Sequence, residues 1–263
     1  MPDATVTPET LSREELLRQM SFLEHLEELR KRLIYSVLSV VVGFGVCYTI
    51  HEKLYALMQR PITEALRNHH LSTNLVYLNP TDPFNLYIRI AFYAGIFFAC
   101  PVILYQVWLF ISPGLYRHEK RYVVPFMIST VGLFLAGGYF GYRFAFPRAL
   151  DFLLDMGKQF TPMITIGEYT QLFLTIILGL GAVFEMPILF FFLALMGIVS
   201  PQWMIKNSRY SILVIFVIAA IITPTPDVWN MCIFASPMLV LYAISIGAAW
   251  LVYPREKKIG DEA

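Results

Sequence analysis

Apolar residues fall in six long runs, at 33–50, 86–111, 123–146, 169–198, 210–223 and 228–252, with turn-rich polar breaks between them. The runs are continuous rather than alternating, which excludes a barrel of strands. A helix needs about 20 apolar residues to cross a bilayer. The pattern therefore predicts an all-α integral membrane protein with six transmembrane helices over residues 33–252. Residues 1–32 form an N-terminal segment and 253–263 a tail. An even number of crossings puts both ends on one side. The fifth run covers about 21 Å at 1.5 Å per residue, against a hydrocarbon core of about 30 Å. It stops at Thr223-Pro224-Thr225-Pro226-Asp227, which cannot continue a helix. Either this turn sits below the outer membrane surface, or neighbouring helices tilt around an ordinary hairpin. The two readings weigh evenly.

Ahead of the first run, Ser12 and Glu15 make a capping box. Leu16, Met20, Leu23, Leu26, Leu29 and Leu33 recur at three- and four-residue steps, which predicts an amphipathic helix lying along the membrane surface and turning into the first span. Its polar face carries Glu24, Glu27, Glu28, Arg30, Lys31 and Arg32. Glu27 with Lys31 and Glu28 with Arg32 are i,i+4 pairs worth about 0.2–0.5 kcal/mol each. On one reading these charges only solvate the helix. On the other, the carboxylates bind a cationic partner, with Glu119 a second carboxylate on the same side. Residues 1–29 contain no apolar run, so the first span is expected to act as its own membrane signal.

Charged residues make up 15% of the chain and hydrophobic residues 57%; soluble domains carry roughly 25% charged residues. The net charge of +1 says nothing about nucleic acid, and no nucleic-acid partner is expected. Position carries more information. Arg13, Arg18, Arg30, Lys31 and Arg32 precede the first run. Arg117, Lys120 and Arg121 join the second run to the third, Lys206 and Arg209 the fourth to the fifth, and Arg255, Lys257 and Lys258 lie in the tail. The remaining Lys and Arg are spread through longer loops on the opposite side. The positive-inside rule then places both termini in the cytoplasm. Cys47, Cys100 and Cys232 fall in apolar runs with no CxxC or Cys–His metal spacing, and read as small packing residues. His69-His70 reads as a solvated pair in an outer loop. Gly157-Lys158 lacks the rest of a phosphate-binding loop, and no HExxH or GxSxG occurs. The expectation is a non-enzymatic protein with no metal and no cofactor.

Glu185 is the one charged residue in 172–195. A carboxylate at a bilayer centre costs about 2.5–3.5 kcal/mol, so Glu185 must face protein, water or a partner, and is expected on the concave side of the bundle. Gly137 and Gly141, and Gly179 and Gly181, provide small surfaces for close helix approach.

Five segments carry a resemblance. They are His25-Leu26-Glu27-Glu28-Leu29-Arg30-Lys31-Arg32-Leu33, Pro101-Val102-Ile103-Leu104-Tyr105-Gln106-Val107-Trp108, Leu115-Tyr116-Arg117-His118-Glu119-Lys120-Arg121, Phe184-Glu185-Met186-Pro187 and Thr223-Pro224-Thr225-Pro226-Asp227. In this order and spacing the chain resembles the TatC family of twin-arginine translocase subunits, over about residues 20–253. The resemblance implies six helices in a concave, glove-like bundle in the bacterial cytoplasmic (inner) membrane. It implies recognition of paired-arginine signal peptides and export of folded proteins, driven by the proton-motive force. The implied partners are single-span TatA- and TatB-like subunits, membrane lipid and further copies in a higher-order oligomer. It places signal-peptide binding at Glu28 and Glu119, with Arg30, Phe110, Pro113, Tyr116 and Arg121 at the same site. It makes Glu185 the intramembrane functional residue, and Pro61, Thr223 and Asp227 sites of the outer loops and partner contact. Arg30, Arg32, Arg117 and Arg121 lie near enough in sequence to compete for the two carboxylates. The chain departs from the family at Met231, where some members carry a polar residue. Two other classes fit the residues alone: a proton- or cation-coupled small-molecule transporter with Glu185 as carrier, and a membrane scaffold with Glu185 hydrogen-bonded inside the bundle. No convincing internal repeat of the kind common in transporters links 33–146 with 169–252.

Overall fold

The computed structural model describes residues 8–111, 123–195, 197–223, 225 and 227–252, and the side chains among these from 24 to 251 except those of 111 and 123–126. In chain order the helices are α1 (Pro8–Thr49), α2 (His51–Asn68), α3 (Asp82–Ile111), α4 (Val123–Phe140), a π-helical turn (Gly141–Ala145), α5 (Phe146–Met156), α6 (Ile166–Val183), α7 (Met186–Leu195), α8 (Pro201–Lys206), α9 (Ser208–Ile222) and α10 (Val228–Val252). The described residues are thus essentially all helical. Val76 and Thr165 add one parallel bridge that ties the α2–α3 connection to the α5–α6 connection.

Four stretches are long and apolar enough to cross a membrane: Glu24–Thr49, Asp82–Phe110, Ile166–Leu195 and Val228–Leu251. The other two expected spans take different forms. Ser208–Ile222 is apolar but short. The third run is interrupted by the π turn immediately before Pro147, where the Phe146 N–H donates to the Gly141 carbonyl, five residues back. Proline supplies no N–H to the Arg143 carbonyl, so the ladder changes register there instead of breaking.

Three further expectations change. The surface helix and the first span are one uninterrupted helix, α1, with no turn between them. Between Glu24 and Val42 the sequence contains no glycine or proline to break it. The capping box at Ser12 and Glu15 lies outside the described side chains. The first outer connection is not a loop but the amphipathic helix α2, which buries Met58, Pro61, Ile62, Ala65 and Leu66. Finally, Cys47 and Cys100 are buried as expected, but Cys232 is exposed on the outer surface of α10.

The helices come together through glycine and aromatic contacts. α1 crosses α3 so closely that a Cβ on Gly43 would lie 2.6 Å from the Gly95 carbonyl oxygen. A Cβ on Gly137 of α4 would lie 2.6 Å from the Leu180 carbonyl oxygen on α6, so the glycines expected to allow close approach do so here. Phe146, Ile176, Leu180, Met204 and Phe234 lie at the centre of the main core. Trp108 and Phe192, with ring centroids 4.9 Å apart, form a smaller one. α7 ends in a Schellman arrangement: Gly197 adopts φ 71°, and the Ile198 N–H returns to the Leu193 carbonyl at 2.9 Å.

Candidate functional site

The first part of the site is the meeting of α1 with the end of α3. His25, Glu28 and Arg32 recur at three- and four-residue steps and so share one face of α1. That face, not the leucine stripe, turns toward α3. The His25 ring stacks on Phe110 with centroids 4.4 Å apart. Arg32 bridges to Glu28 at 3.0 Å and reaches Gln106 Oε1 at 3.4 Å. Leu26, Leu29 and Leu33 are left exposed. This inversion is what a bilayer demands: apolar side chains face lipid, and polar ones find partners in protein. Glu28 stays half-buried, and Arg30 is exposed. The Arg32 Nε is buried without a hydrogen-bond partner. Phe110 closes α3, and the chain continues directly into the segment carrying Pro113, Tyr116, Glu119 and Arg121, which lie outside the described residues. Arg32 therefore does compete for Glu28, and sequence reasoning did not foresee Gln106 and His25 as its neighbours.

The second part is the break at Glu185. The fourth span is not one helix: α6 ends at Val183 and α7 starts at Met186. Pro187 cannot donate to the Val183 carbonyl, and its ring crowds that turn. The Glu185 N–H bonds back only three residues, to Ala182, at 3.2 Å. The Glu185 carbonyl accepts from Ile188 at 3.1 Å and Leu189 at 3.0 Å and so starts α7. The side chain is half-buried. Its Oε1 is shielded and has no hydrogen-bond partner, and the same holds for Thr130 Oγ1 on α4. Cys100 on α3 lies within electrostatic reach of the carboxyl. Buried polar atoms are normally paired, so this locality is chemically incomplete within the described residues. It can accept a proton, a water or a donor from another chain.

The third part is the turn between α9 and α10. Thr223 donates to the Ala219 carbonyl at 2.6 Å and caps α9. Asp227 caps α10, accepting from the Asn230 N–H at 2.7 Å. The Thr225 hydroxyl donates to the same carboxylate. The Asn230 amide joins both, at 3.1 Å to Thr225 Oγ1 and 3.0 Å to Asp227 Oδ2. The Asn230 N–H, followed by the Thr225 hydroxyl, holds the Asp227 carboxyl below the usual carboxylate range. Asn230 is 1% exposed. It supplies the polar group one position before Met231, where sequence reasoning found none. The Asp-x-x-Asn spacing at the start of an apolar run was the available signal. α9, at about 22 Å, is shorter than the hydrocarbon core of about 30 Å. Val228 beside this turn is 71% exposed in the chain itself. Val228→Cys, in a background lacking the native cysteines, is expected to react slowly with a bulky impermeant thiol reagent added from outside. The chain itself does not cover Val228, so slow labelling in membranes that lack the partner subunits reports membrane depth. Labelling as fast as at Asn68→Cys would place the turn at the surface.

Pro61 lies inside α2 and leaves the Leu57 carbonyl without its helical donor. The Tyr142 hydroxyl, from the π turn, donates to that carbonyl at 3.0 Å. The Tyr169 hydroxyl donates to the neighbouring Met58 carbonyl. Pro61 thus opens a docking point that fastens α2 to the bundle. His69, at the end of α2, is not solvated as expected. Its ring nitrogens lie 3.7 Å from Asp151 and 3.7 Å from Asp155 on α5. The two carboxylates address opposite nitrogens of one ring, and among the described residues no group of three His, Cys, Asp or Glu side chains is placed to hold a metal ion.

Comparison with known proteins adds the following. The family described as "TatC: Sec-independent protein translocase protein (TatC)" matches residues 24–237. The chain is similar to the Sec-independent protein translocase protein TatC of Koribacter versatilis (strain Ellin345), with 63% identity covering 100% of this chain and 98% of that one. It is similar to the protein of the same name from Aquifex aeolicus (strain VF5), with 36% identity over 91% of this chain and 99% of that one. A crystal structure of a twin arginine translocase receptor, TatC, matches with a TM-score of 0.75 at 36% identity, covering 87% of this chain and 99% of that chain.

Proposed function

The chain belongs to the TatC family of Sec-independent protein translocase proteins, and from this we propose that it is the receptor subunit of a twin-arginine translocase. It is a multi-pass membrane protein that exports folded proteins rather than an enzyme. Its six helices cross the bacterial inner membrane with both termini cytoplasmic, forming a concave bundle. The transmembrane unit is residues 33–252, continuous with α1 on its cytoplasmic side.

Signal recognition occurs where α1 meets the end of α3. The observation that carries this assignment is Glu28, half-buried and paired with Arg32, one turn along α1 from the His25–Phe110 stack that lies just before the segment bearing Glu119. Two guanidiniums need two carboxylates, and arginine–carboxylate pairs are bidentate at best geometry. Arg32 occupies Glu28 in the unliganded chain. A signal-peptide arginine therefore exchanges one guanidinium for another, which avoids leaving Glu28 uncompensated before binding. Arg30, Pro113, Tyr116 and Arg121 serve the same recognition step. The hydrophobic part of the signal then lies along the concave face toward Glu185. Single-span TatA- and TatB-like subunits dock against that face and at the Thr223–Asp227 turn, within a higher-order oligomer. The proton-motive force supplies the energy.

Glu185→Gln is expected to insert and support export nearly as well as the parent, because it keeps the shape and hydrogen-bonding capacity at the α6–α7 break. Glu185→Ala is expected to weaken assembly with the small subunits and export more than it weakens signal binding. Export of a folded twin-arginine substrate in membranes, with partner subunits supplied, measures both. The broken helix also suits a proton-coupled carrier. That reading requires Glu185→Gln to eliminate flux, so the same pair of variants separates the two. No export by the parent protein with its partners would overturn the translocase assignment.

A further inference from the structure

A second polar locality lies away from both the signal-binding end and Glu185. Arg89 and Tyr93 on α3, with Gln171, Leu174, Thr175 and Leu178 on α6, line a recess of about 530 Å³. Both helices run inward from the outer side. Arg89 is seven residues inside α3, about 10 Å along its axis. Gln171 and Thr175 lie about 8 and 14 Å along α6. The two helices thus bring an arginine, an amide and a hydroxyl to one depth, in the outer leaflet. Arg89, Gln171 and Thr175 are exposed, so the recess opens sideways toward lipid.

The chemistry of the recess is one-sided. Four of its six lining residues carry hydrogen-bond donors, and none carries a carboxylate. Among the described residues no carboxylate lies within ion-pair distance of the Arg89 guanidinium. Asp82 feels its charge. That carboxylate is already engaged by the Leu78 and Asn79 N–H groups, at 3.1 and 2.9 Å. An arginine at this depth is costly unless it reaches a counter-charge. Its planar fork matches a phosphate bidentately, and amide and hydroxyl donors serve the remaining oxygens. Leu174 and Leu178 continue the surface inward at the level of acyl chains.

We propose that this recess binds the phosphate of an anionic phospholipid of the outer leaflet. The absence of a carboxylate is what selects the class: the recess offers no negative charge to balance the ammonium of a zwitterionic headgroup, whereas a net-negative lipid neutralises Arg89. The proposal rests on the membrane reading of α3 and α6 given above. It does not depend on export, so its failure leaves the translocase assignment standing.

The test uses the full chain, purified and reconstituted in nanodiscs of phosphatidylcholine with added phosphatidylglycerol. Co-purifying lipid is counted by native mass spectrometry, and a photoactivatable phosphatidylglycerol is mapped to its crosslinked peptides. The parent protein is expected to retain phosphatidylglycerol over phosphatidylcholine and to crosslink on α3 and α6. Arg89→Gln should lower retention about tenfold, the scale of one lost charge-assisted contact. Gln171→Ala with Thr175→Val, which leaves the charge in place, should give an intermediate loss. Signal-peptide crosslinking measured in parallel confirms that each variant is folded. Equal retention by the parent and Arg89→Gln overturns the proposal, as does equal retention of the two lipids. Displacement of the label by inorganic phosphate would make this a free-anion site, and a crosslink from Arg89→Cys to a carboxylate-bearing partner helix, with lipid retention unchanged, would make it a subunit contact. Either result also overturns it.

Discussion

Glu28→Ala and Glu119→Ala are each expected to abolish photo-crosslinking of a paired-arginine signal peptide while the protein remains inserted. Each substitution removes a charge-assisted contact worth about 1.5–3 kcal/mol, a loss of about ten- to a hundredfold in affinity. For Glu28 the structure adds a second consequence. Its ion pair with Arg32 disappears as well, leaving a half-buried guanidinium that repels the incoming arginines. Glu28→Ala should therefore be at least as damaging as Glu119→Ala. Unchanged crosslinking in both variants would remove these carboxylates from the recognition site.

Gly95→Leu is expected to produce a protein that is degraded or fails to assemble, a larger effect than any surface substitution in this chain. A Cβ on Gly95 would lie 2.6 Å from the Phe44 backbone nitrogen, and one on Gly43 would lie 2.6 Å from the Gly95 carbonyl oxygen. The obstacles are backbone atoms, which cannot rotate away as a side-chain tip can. α1 must therefore move off α3. Overpacking costs about 1–3 kcal/mol where side chains can adjust, and here they cannot. The same movement separates His25 from Phe110 and Arg32 from Gln106, so signal binding should fall even in any protein that survives. Steady-state level and protease resistance in membranes measure the first effect, and crosslinking of the signal peptide the second. Wild-type level and resistance in Gly95→Leu would mean that the two helices do not cross at these glycines. Gly45, which meets no neighbour within 4 Å, provides the control: Gly45→Ala should be tolerated.

Much of the candidate site was legible before any fold. Glu28, Glu185, Thr223 and Asp227 stood in the motifs, Phe110 and Pro61 came with the family resemblance, and the packing role of Gly137 came from spacing. Other parts were not. The Leu57 carbonyl freed by Pro61 could be anticipated, but not that Tyr142, far along the chain, would satisfy it. Thr130 reads as an ordinary span residue until its hydroxyl is found shielded without a hydrogen-bond partner. Gly43 and Gly95 each lie in a different run and form no motif within either. The leucine stripe of α1 was recognised as a stripe, and Leu26, Leu29 and Leu33 are exposed. That the opposite face, with His25, Glu28 and Arg32, would pack on α3 was not foreseen.

The division follows from the range of the forces. A bilayer forces backbone groups to pair within a segment, so helix positions follow from apolar run length, caps and prolines, all properties of near neighbours. Charge bias between runs likewise sets the sidedness, because each cation meets its own compartment. The sequence alone therefore determined the class and the approximate helices, and it supplies the orientation expected of them. Which helix faces meet is a different kind of quantity. It is a sum of many small dispersion contacts, in which one glycine opposite another outweighs several leucines. Only the tertiary structure decided that His25 stacks on Phe110, that Arg32 reaches Gln106, that Tyr142 closes on the Leu57 carbonyl, and that Arg89, Gln171 and Thr175 share one recess. These residues lie on elements or faces whose pairing no local pattern encodes.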